Sequence, residues 1–226
     1  MRLPRIYLDK PLRKDAIYEL TNDSAHHVIT VLRMRKGQQF ILFNGQGGQF
    51  TAEIVSAEKN HVEIQVGEYS SINLGSALNI TLVQGISRGQ RMDYAIQKSV
   101  ELGVACIVPV ITEFCTVHLN NERMLKKYHH WEKIIVGACE QSGRNKIPLL
   151  EEVQNIEDWV SQNSDQHTNK LKLILHPESG LPLSNLDKLV EHLTLLIGPE
   201  GGFSQLENKL AQKNGYQGLK LGPRIL

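Results

Sequence analysis

The chain has almost no net charge: 25 Lys and Arg stand against 24 Asp and Glu, leaving a formal +1 over 226 residues. No global basic field announces a nucleic acid, so any such contact has to come from local clusters. Cysteine is scarce, three in all with no CxxC pair, which excludes a disulfide framework and points to a reducing compartment. Cys106, Cys115 and Cys139 lie in apolar or mixed segments and are expected to pack, not to attack substrates. No apolar run approaches the roughly 20 residues that span a bilayer, and Met1-Arg-Leu-Pro-Arg-Ile-Tyr7 lacks a signal-peptide core. The expectation is a soluble cytoplasmic protein without a membrane role. The nine histidines, His26-His27 and His129-His130 among them, show no metal-ligand spacing, so no metal is expected. What is present is a hydrophobic content of 41%, enough for a real core, in a length that fits one large domain or two small ones.

The N-terminal part reads as β-structure. Gln39-Phe-Ile-Leu-Phe43, a glycine turn at Asn44-Gly-Gln-Gly-Gly48 and Gln49 to Val55 form strand, turn, strand. Asn60 to Val66 alternates apolar and polar at period two. Such short strands predict a small barrel, interrupted by one helix over Ser24 to Met34. No helix follows the glycines at 45, 47 and 48, which favours a hairpin turn over a phosphate loop. Tyr69 to Ser76 is small and polar, as linkers are. Beyond it strands at 78–83, 104–110, 147–150, 171–175 and 193–197 alternate with helices at 90–102, 128–141, 156–163 and from Ser184, which predicts a parallel sheet covered on both faces.

Four constellations stand out. Leu193-Thr-Leu-Leu-Ile197 runs into Gly198-Pro-Glu-Gly-Gly202, and Ser204 with Glu207 then opens a helix with a capping box. Strand, glycine turn and capped helix bring backbone N–H groups up to a ligand at a strand's C-terminal end. The turn lacks the Lys-Ser/Thr of a triphosphate loop and the GxGxxG spacing of a dinucleotide fold. It suits a ligand read by backbone groups, such as an adenine or a methionine moiety, though a plain tight connection has the same look. Leu221-Gly-Pro-Arg-Ile-Leu226 is a second small-residue turn, and the two suggest one pocket with two backbone walls. Gly85-Ile-Ser-Arg-Gly-Gln-Arg91 follows the first strand of the second half, where Arg88 and Arg91 are either phosphate contacts or solvated charge. Glu140-Gln-Ser-Gly-Arg144 ends a helix with groups that are costly to bury, hence either solvated or used. Arg33-Met-Arg-Lys36, with Arg2, Arg5 and Tyr7 nearby in sequence, is either an RNA-contacting cluster or a solvated loop.

Gly85 to Val104, Glu140 to Arg144, Leu196 to Ser204, Leu221 to Leu226 and His27 to Gly37 together resemble the signatures of the bacterial 16S ribosomal RNA uridine-N3 methyltransferases (RsmE) of the SPOUT superfamily. The likeness runs through nearly the whole chain in the right order. It implies an α/β protein: a small PUA-like β-barrel over 1–72 for RNA docking, then a SPOUT-type domain over 73–226 with a C-terminal trefoil knot, a rare exception to unthreaded topology. It also implies S-adenosylmethionine in the knot, a homodimer, and methylation of N3 of one uridine in 16S rRNA of the small ribosomal subunit. Carried over, the cofactor-binding residues are Leu175, His176, Pro177, Ile197, Gly198, Pro199, Glu200, Gly201, Gly202, Leu221, Gly222, Ile225 and Leu226. Arg2, Arg5, Arg33, Arg35, Lys36, Arg88 and Arg91 are the RNA-binding candidates. In the family the last motif continues as Arg and then Glu-Thr into a helix that completes the knot; this sequence stops at Leu226.

Methylating a uracil N3 needs its proton weakened or removed, by a base near N3 or by positive groups near O2 and O4. Glu200 is the candidate base, with bracing of its turn as the alternative. Arg144, from either subunit of a dimer, is the candidate for anion stabilisation or phosphate positioning, and Arg224 for holding the cofactor loop or the RNA. The rival readings are a non-catalytic RNA-binding protein, a SPOUT enzyme acting on tRNA or a ribose hydroxyl, and a small-molecule enzyme.

Overall fold

A computed structural model describes residues 3–58, 61–116, 121–163, 170–176, 180–186 and 190–222. The expected site residues Arg2, Pro177, Arg224, Ile225 and Leu226 lie outside the described residues. The chain divides into two units, Met1–Gly75 with Val136–Ile147, and Ser76–Ile135 with Pro148–Leu226.

Alternation at period two builds the first unit. Its strands are β1 (Arg5–Tyr7), β2 (Ile17–Thr21), β3 (Gln39–Phe43), β4 (Gln49–Glu58) and β5 (His61–Ser70), in the order β1-β3-β4-β5-β2. β1 runs parallel to β3 and the other ladders are antiparallel. Ala52 and Ile54 on β4 and Val62, Ile64 and Val66 on β5 point inward, the register that one-face burial enforces. They share one core with Ile6, Leu20, Phe40 and Leu42 from the other three strands. A core fed by every strand is what a sheet curled on itself produces.

The helix expected over Ser24 to Met34 is shorter and changes its winding. α1 (Asn22–His26) passes into a wider π turn over His27–Val31, where the Leu32 N–H donates to the His27 carbonyl at 2.9 Å. Arg33 then stands at φ 54°, a left-handed conformation that no helix continues through. The reason lies in the core: Val28 and Met34 both bury their side chains, and a regular helix has no requirement to place both there.

The second unit follows the expected alternation. It holds β6 (Asn79–Gly85), α2 (Gln90–Glu101), β7 (Cys106–Ile111), the first part of α3 (Asn121–Ser142), β8 (Leu149–Leu150), β9 (Gln154–Asn155), α4 (Ile156–Gln162), β10 (Lys170–Leu175), β11 (Leu181–Pro182), β12 (His192–Ile197), α5 (Gln205–Lys213) and β13 (Gln217–Lys220). Its sheet runs β11-β13-β10-β12-β6-β7-β8 with β9 also against β7, and every ladder is parallel. Val83, Val108, Ile174 and Leu196 from four strands pack with Ile156 and Val160 of α4 and Ala211 of α5. α2 buries Met92, Ile96 and Val100 at helical spacing, and Gly103 at φ 102° ends it, as expected. Of the helix expected from Ser184, the described residues show a 3₁₀ turn, Leu183–Asn185, and 187–189 lie outside the described residues. α3 starts seven residues before the expected Tyr128, because Glu122 to Lys127 are good helix formers.

The last turns of α3 and the segment after it, Val136–Ile147, group with the first unit. Glu140 accepts the Tyr7 N–H at 2.9 Å, the Asn145 carbonyl accepts the Gly47 N–H at 3.1 Å, and Gln46 bridges Lys146. Arg5 ties this segment down. Its guanidinium donates to the Asn145 side chain, to the Arg144 carbonyl at 3.2 Å and to Gln49 Oε1 at 2.7 Å, and lies 4.9 Å from the Phe43 ring centre. Burial raises the pKa of Glu140 against the hydrogen bond from Tyr7 and the nearby His27 and Arg5 charges. Arg5→Met is expected to lower stability by about 2 kcal/mol, since Asn145, 1% exposed, loses a charged donor. Lys36→Ala on the exposed turn should stay within about 0.5 kcal/mol. Urea unfolding of both variants measures this, and an unchanged midpoint for Arg5→Met would remove it as a strut.

Candidate active site

Five neighbouring strands of the second unit end nearly level. Leu175 of β10 pairs with Leu219 of β13, Ile174 with Leu196 of β12, Gln84 of β6 with Ile197, and Gly85 with Val110 of β7. Because the strands are parallel, the segments leaving them emerge side by side at one edge, where open α/β sheets bind ligands. His176 follows β10, Gly198 to Gly202 follow β12, and Leu221 and Gly222 follow β13. The His176 N–H donates to the Leu219 carbonyl at 3.1 Å, joining two of these walls. The described cofactor-binding candidates are therefore gathered on adjacent strand ends.

The Gly198–Gly202 turn is tight. The Gly202 N–H closes it onto the Pro199 carbonyl at 2.9 Å, with Gly202 at φ 70°. Gly85, on the neighbouring strand end, is in close approach: a Cβ there would lie 2.5 Å from Pro199 Cδ and 2.7 Å from Pro199 N. Buried Gln84 donates from Nε2 to the carbonyls of Gly85 at 3.0 Å and Gly198 at 3.3 Å. The two chain segments thus lie backbone to backbone, leaving a wall of peptide groups. Below it the capping box is present as expected. Ser204 accepts the Glu207 N–H at 3.2 Å, and Glu207 accepts the Ser204 N–H at 2.7 Å.

Glu200 faces the other constellation. Its Oε1 accepts the Arg88 N–H at 3.2 Å and Arg91 Nη1 at 2.9 Å. A hydrogen bond from its own backbone and these two donors hold its carboxyl below the usual glutamate range, against the opposing effect of desolvation. A carboxylate held in that way is a weak proton acceptor, so the geometry favours the bracing role over the base. Arg88 and Arg91 after β6, Glu113 to Thr116 after β7, and Glu200 with Gly201 after β12 line an open cleft of about 900 Å³.

The other candidates lie in the first unit. Arg144 is buried there, 8% exposed, and loss of water lowers its pKa. Arg5, expected among the RNA-binding residues, donates to Asn145 and Gln49 within that unit, where β1 points it. Arg33, Arg35 and Lys36 stand exposed on a turn anchored by buried Met34 and by the Gly37 N–H on the Ile54 carbonyl at 2.8 Å. Cys106 and Cys139 are pushed up to about 11 by burial, which suits packing and not nucleophilic attack. Among the described residues no three His, Cys, Asp or Glu side chains are grouped to hold a metal, and no helix is long and apolar enough to cross a membrane.

A family model described as an RNA methyltransferase domain matches residues 75–226, and one described as an RNA methyltransferase PUA domain matches 20–67. Ribosomal RNA small subunit methyltransferase E of Buchnera aphidicola (subsp. Schizaphis graminum) is 36% identical over 100% of this chain and 90% of its own length. The chain belongs to the ribosomal RNA small subunit methyltransferase E family. Its namesake in Bacillus subtilis is 30% identical, over 92% of this chain and 84% of that protein. Two solved structures superpose with TM-scores of 0.93. One, from Legionella pneumophila with the bound cofactor SAM, is 42% identical and covers 100% of this chain and 92% of its own. The other, the family member from Neisseria gonorrhoeae bound to S-adenosyl methionine, is 36% identical and covers 100% and 91%. The chain is thus an RNA methyltransferase of SPOUT-type α/β fold with an N-terminal PUA-type domain.

Sequence reasoning missed two parts of this methyltransferase site: Gln84, and the Glu113–Thr116 loop. The available signal was position, a polar run directly after a buried parallel strand. Gly85→Ala should cost about 3 kcal/mol from the forced contact with Pro199, and Gly202→Ala, which meets nothing within 4 Å, about 1 kcal/mol from its φ alone. Equal costs in thermal unfolding would contradict the close approach. In a pH titration followed by carboxyl NMR, Glu200 should titrate below ordinary glutamates. The stabilisation from its pairs is present above the ordinary glutamate pKa and fades as acid passes through the lowered value. A shift upward would refute the bracing geometry.

Proposed function

We propose that the chain transfers a methyl group from S-adenosylmethionine to N3 of one uridine in 16S rRNA of the small ribosomal subunit, acting in the cytoplasm as a homodimer. The single observation carrying this reading is the peptide-walled edge where the ends of β13, β10 and β12 come together, in a family whose solved members hold the methyl donor. The turn's chemistry fits the donor: a Cβ at Gly85 would meet Pro199 and one at Gly198 would meet the Gly202 backbone, so the turn offers peptide groups, and backbone N–H and C=O groups suit an adenine edge. Leu175, His176, Pro177, Ile197, Gly198, Pro199, Gly201, Gly202, Leu221, Gly222, Ile225 and Leu226 are the residues assigned to hold it, within a trefoil knot. Bound there, S-adenosylmethionine supplies an electrophilic methyl carbon.

The protein's share of the work is positioning and charge control. Residues 1–72 serve as the RNA-docking domain through Arg2 and through Arg33, Arg35 and Lys36, the last three presented to solvent on a turn anchored by Met34 and Gly37. Residues 73–226 form the transfer domain. Arg88 and Arg91 offer positive charge in the cleft next to the cofactor turn, where a phosphate or a developing uracil anion is stabilised. Glu200 keeps Arg91 and the Arg88 backbone in place. Arg144 and Arg224 are assigned to anion or cofactor-loop positioning. The target base has to turn outward from its helix to reach the donor.

Labelled-methyl transfer to unmodified small subunits and to naked 16S rRNA, with mapping of the modified nucleotide, tests the reading. Label at a uridine N3 supports it, whereas label in tRNA or on a ribose would overturn it. Calorimetric uptake of S-adenosylmethionine separates it from a plain RNA-binding protein. Glu200→Gln should keep transfer within about tenfold, because removing a true general base costs about 10²–10⁴.

A further inference from the structure

We infer that Phe114 is a stacking platform for the RNA nucleobase that enters the cleft, a positioning role at the acceptor side of the reaction. The inference rests on the reading of this cleft as the place where an RNA nucleotide meets the methyl donor. Phe114 lines the cleft and is 45% exposed. A lone exposed aromatic is ordinary on a protein surface, but this one sits on a loop that is fixed from several sides. The Glu113 N–H before it donates to the carboxylate of Glu207 at 2.8 Å, the same buried group that caps α5. After it, the Cys115 N–H donates to the Thr112 carbonyl at 3.0 Å and the Cys115 thiol to the Ile86 carbonyl at 3.4 Å.

The wall opposite is cut to admit it. A Cβ on Gly201 would lie 2.8 Å from Phe114 Cβ, so the cofactor turn and the Phe114 loop touch only because Gly201 has no side chain. The exposed ring therefore stands on a rigid loop against the turn assigned to the methyl donor. Arg88 and Arg91 line the same cleft. An aromatic face beside arginines is the pairing that holds an unstacked base and its phosphate, and it is sequence-tolerant because every base has a π face. Phe114 orients the base and the arginines take its charge.

Phe114→Ala, Phe114→Leu and Phe114→Tyr, compared with wild type, test this. The readouts are thermal unfolding, calorimetric affinity for S-adenosylmethionine, and single-turnover methyl transfer to unmodified small subunits below saturation. Base stacking on an aromatic predicts that Phe114→Ala and Phe114→Leu lose roughly 10- to 100-fold in transfer. Fold and methyl-donor affinity should stay unchanged, and Phe114→Tyr should keep the wild-type rate. Leu replaces the apolar bulk without the ring, so wild-type transfer by Phe114→Leu would overturn the stacking role while leaving the enzyme reading in place. Absence of transfer by the wild type would overturn that reading and this inference with it.

Discussion

Parallel pairing of β12 with β6 is the constraint on which the rest of the site depends. Parallel register puts the carboxyl ends of both strands at the same edge, and the approach of Gly85 to Pro199 then leaves no room between the following turns. Everything chemical in the second unit is hung from that edge. The Gly198–Gly202 turn presents peptide groups at Gly198 and Gly201, where a Cβ would meet the Gly202 backbone and Phe114. Arg88 and Arg91 meet Glu200 because α2 starts five residues beyond the same contact, with Arg88 on the approach to it and Arg91 in its first turn. The loop after β7 joins them because β7 is the next strand over.

Electrostatics in the cleft follows from that arrangement. Glu200 lies where two donors reach it, so its charge is stabilised and its basicity reduced. Acid–base chemistry by that carboxylate would work against the groups that hold it. Under the proposed reaction, positive charge near the acceptor base serves proton removal better than a strong protein base would. The first unit handles charge differently. Arg5, Glu140, Asn145 and the Arg144 carbonyl tie a helix end to a sheet, while Arg33, Arg35 and Lys36 are held outward on a short turn.

Much of this was legible in residue order. The alternation in β4 and β5, the capped α5 and the strand-helix rhythm of the second unit need only local pattern, since period and capping act over a few residues. The Gly198–Gly202 turn was legible because five small or rigid residues after an apolar run have few other uses. The π turn at His27–Val31 was not, since it answers to burial of Val28 and Met34 in a core assembled from five distant strands. The strut contacts of Arg5 were not legible for a similar reason: its partners, the Arg144 carbonyl and Asn145, lie 139 and 140 residues away.

The sequence alone determined the order of the elements, the glycine turn at Gly198–Gly202 and the family to which the motifs belong, because each is written in local spacing and composition. Tertiary structure decided which of the charged residues face solvent and which serve as struts, that Glu200 pairs with Arg91, and that Phe114 shares a cleft with them. Those outcomes depend on strand neighbours and on close approaches between segments about a hundred residues apart, and no local pattern carries that distance.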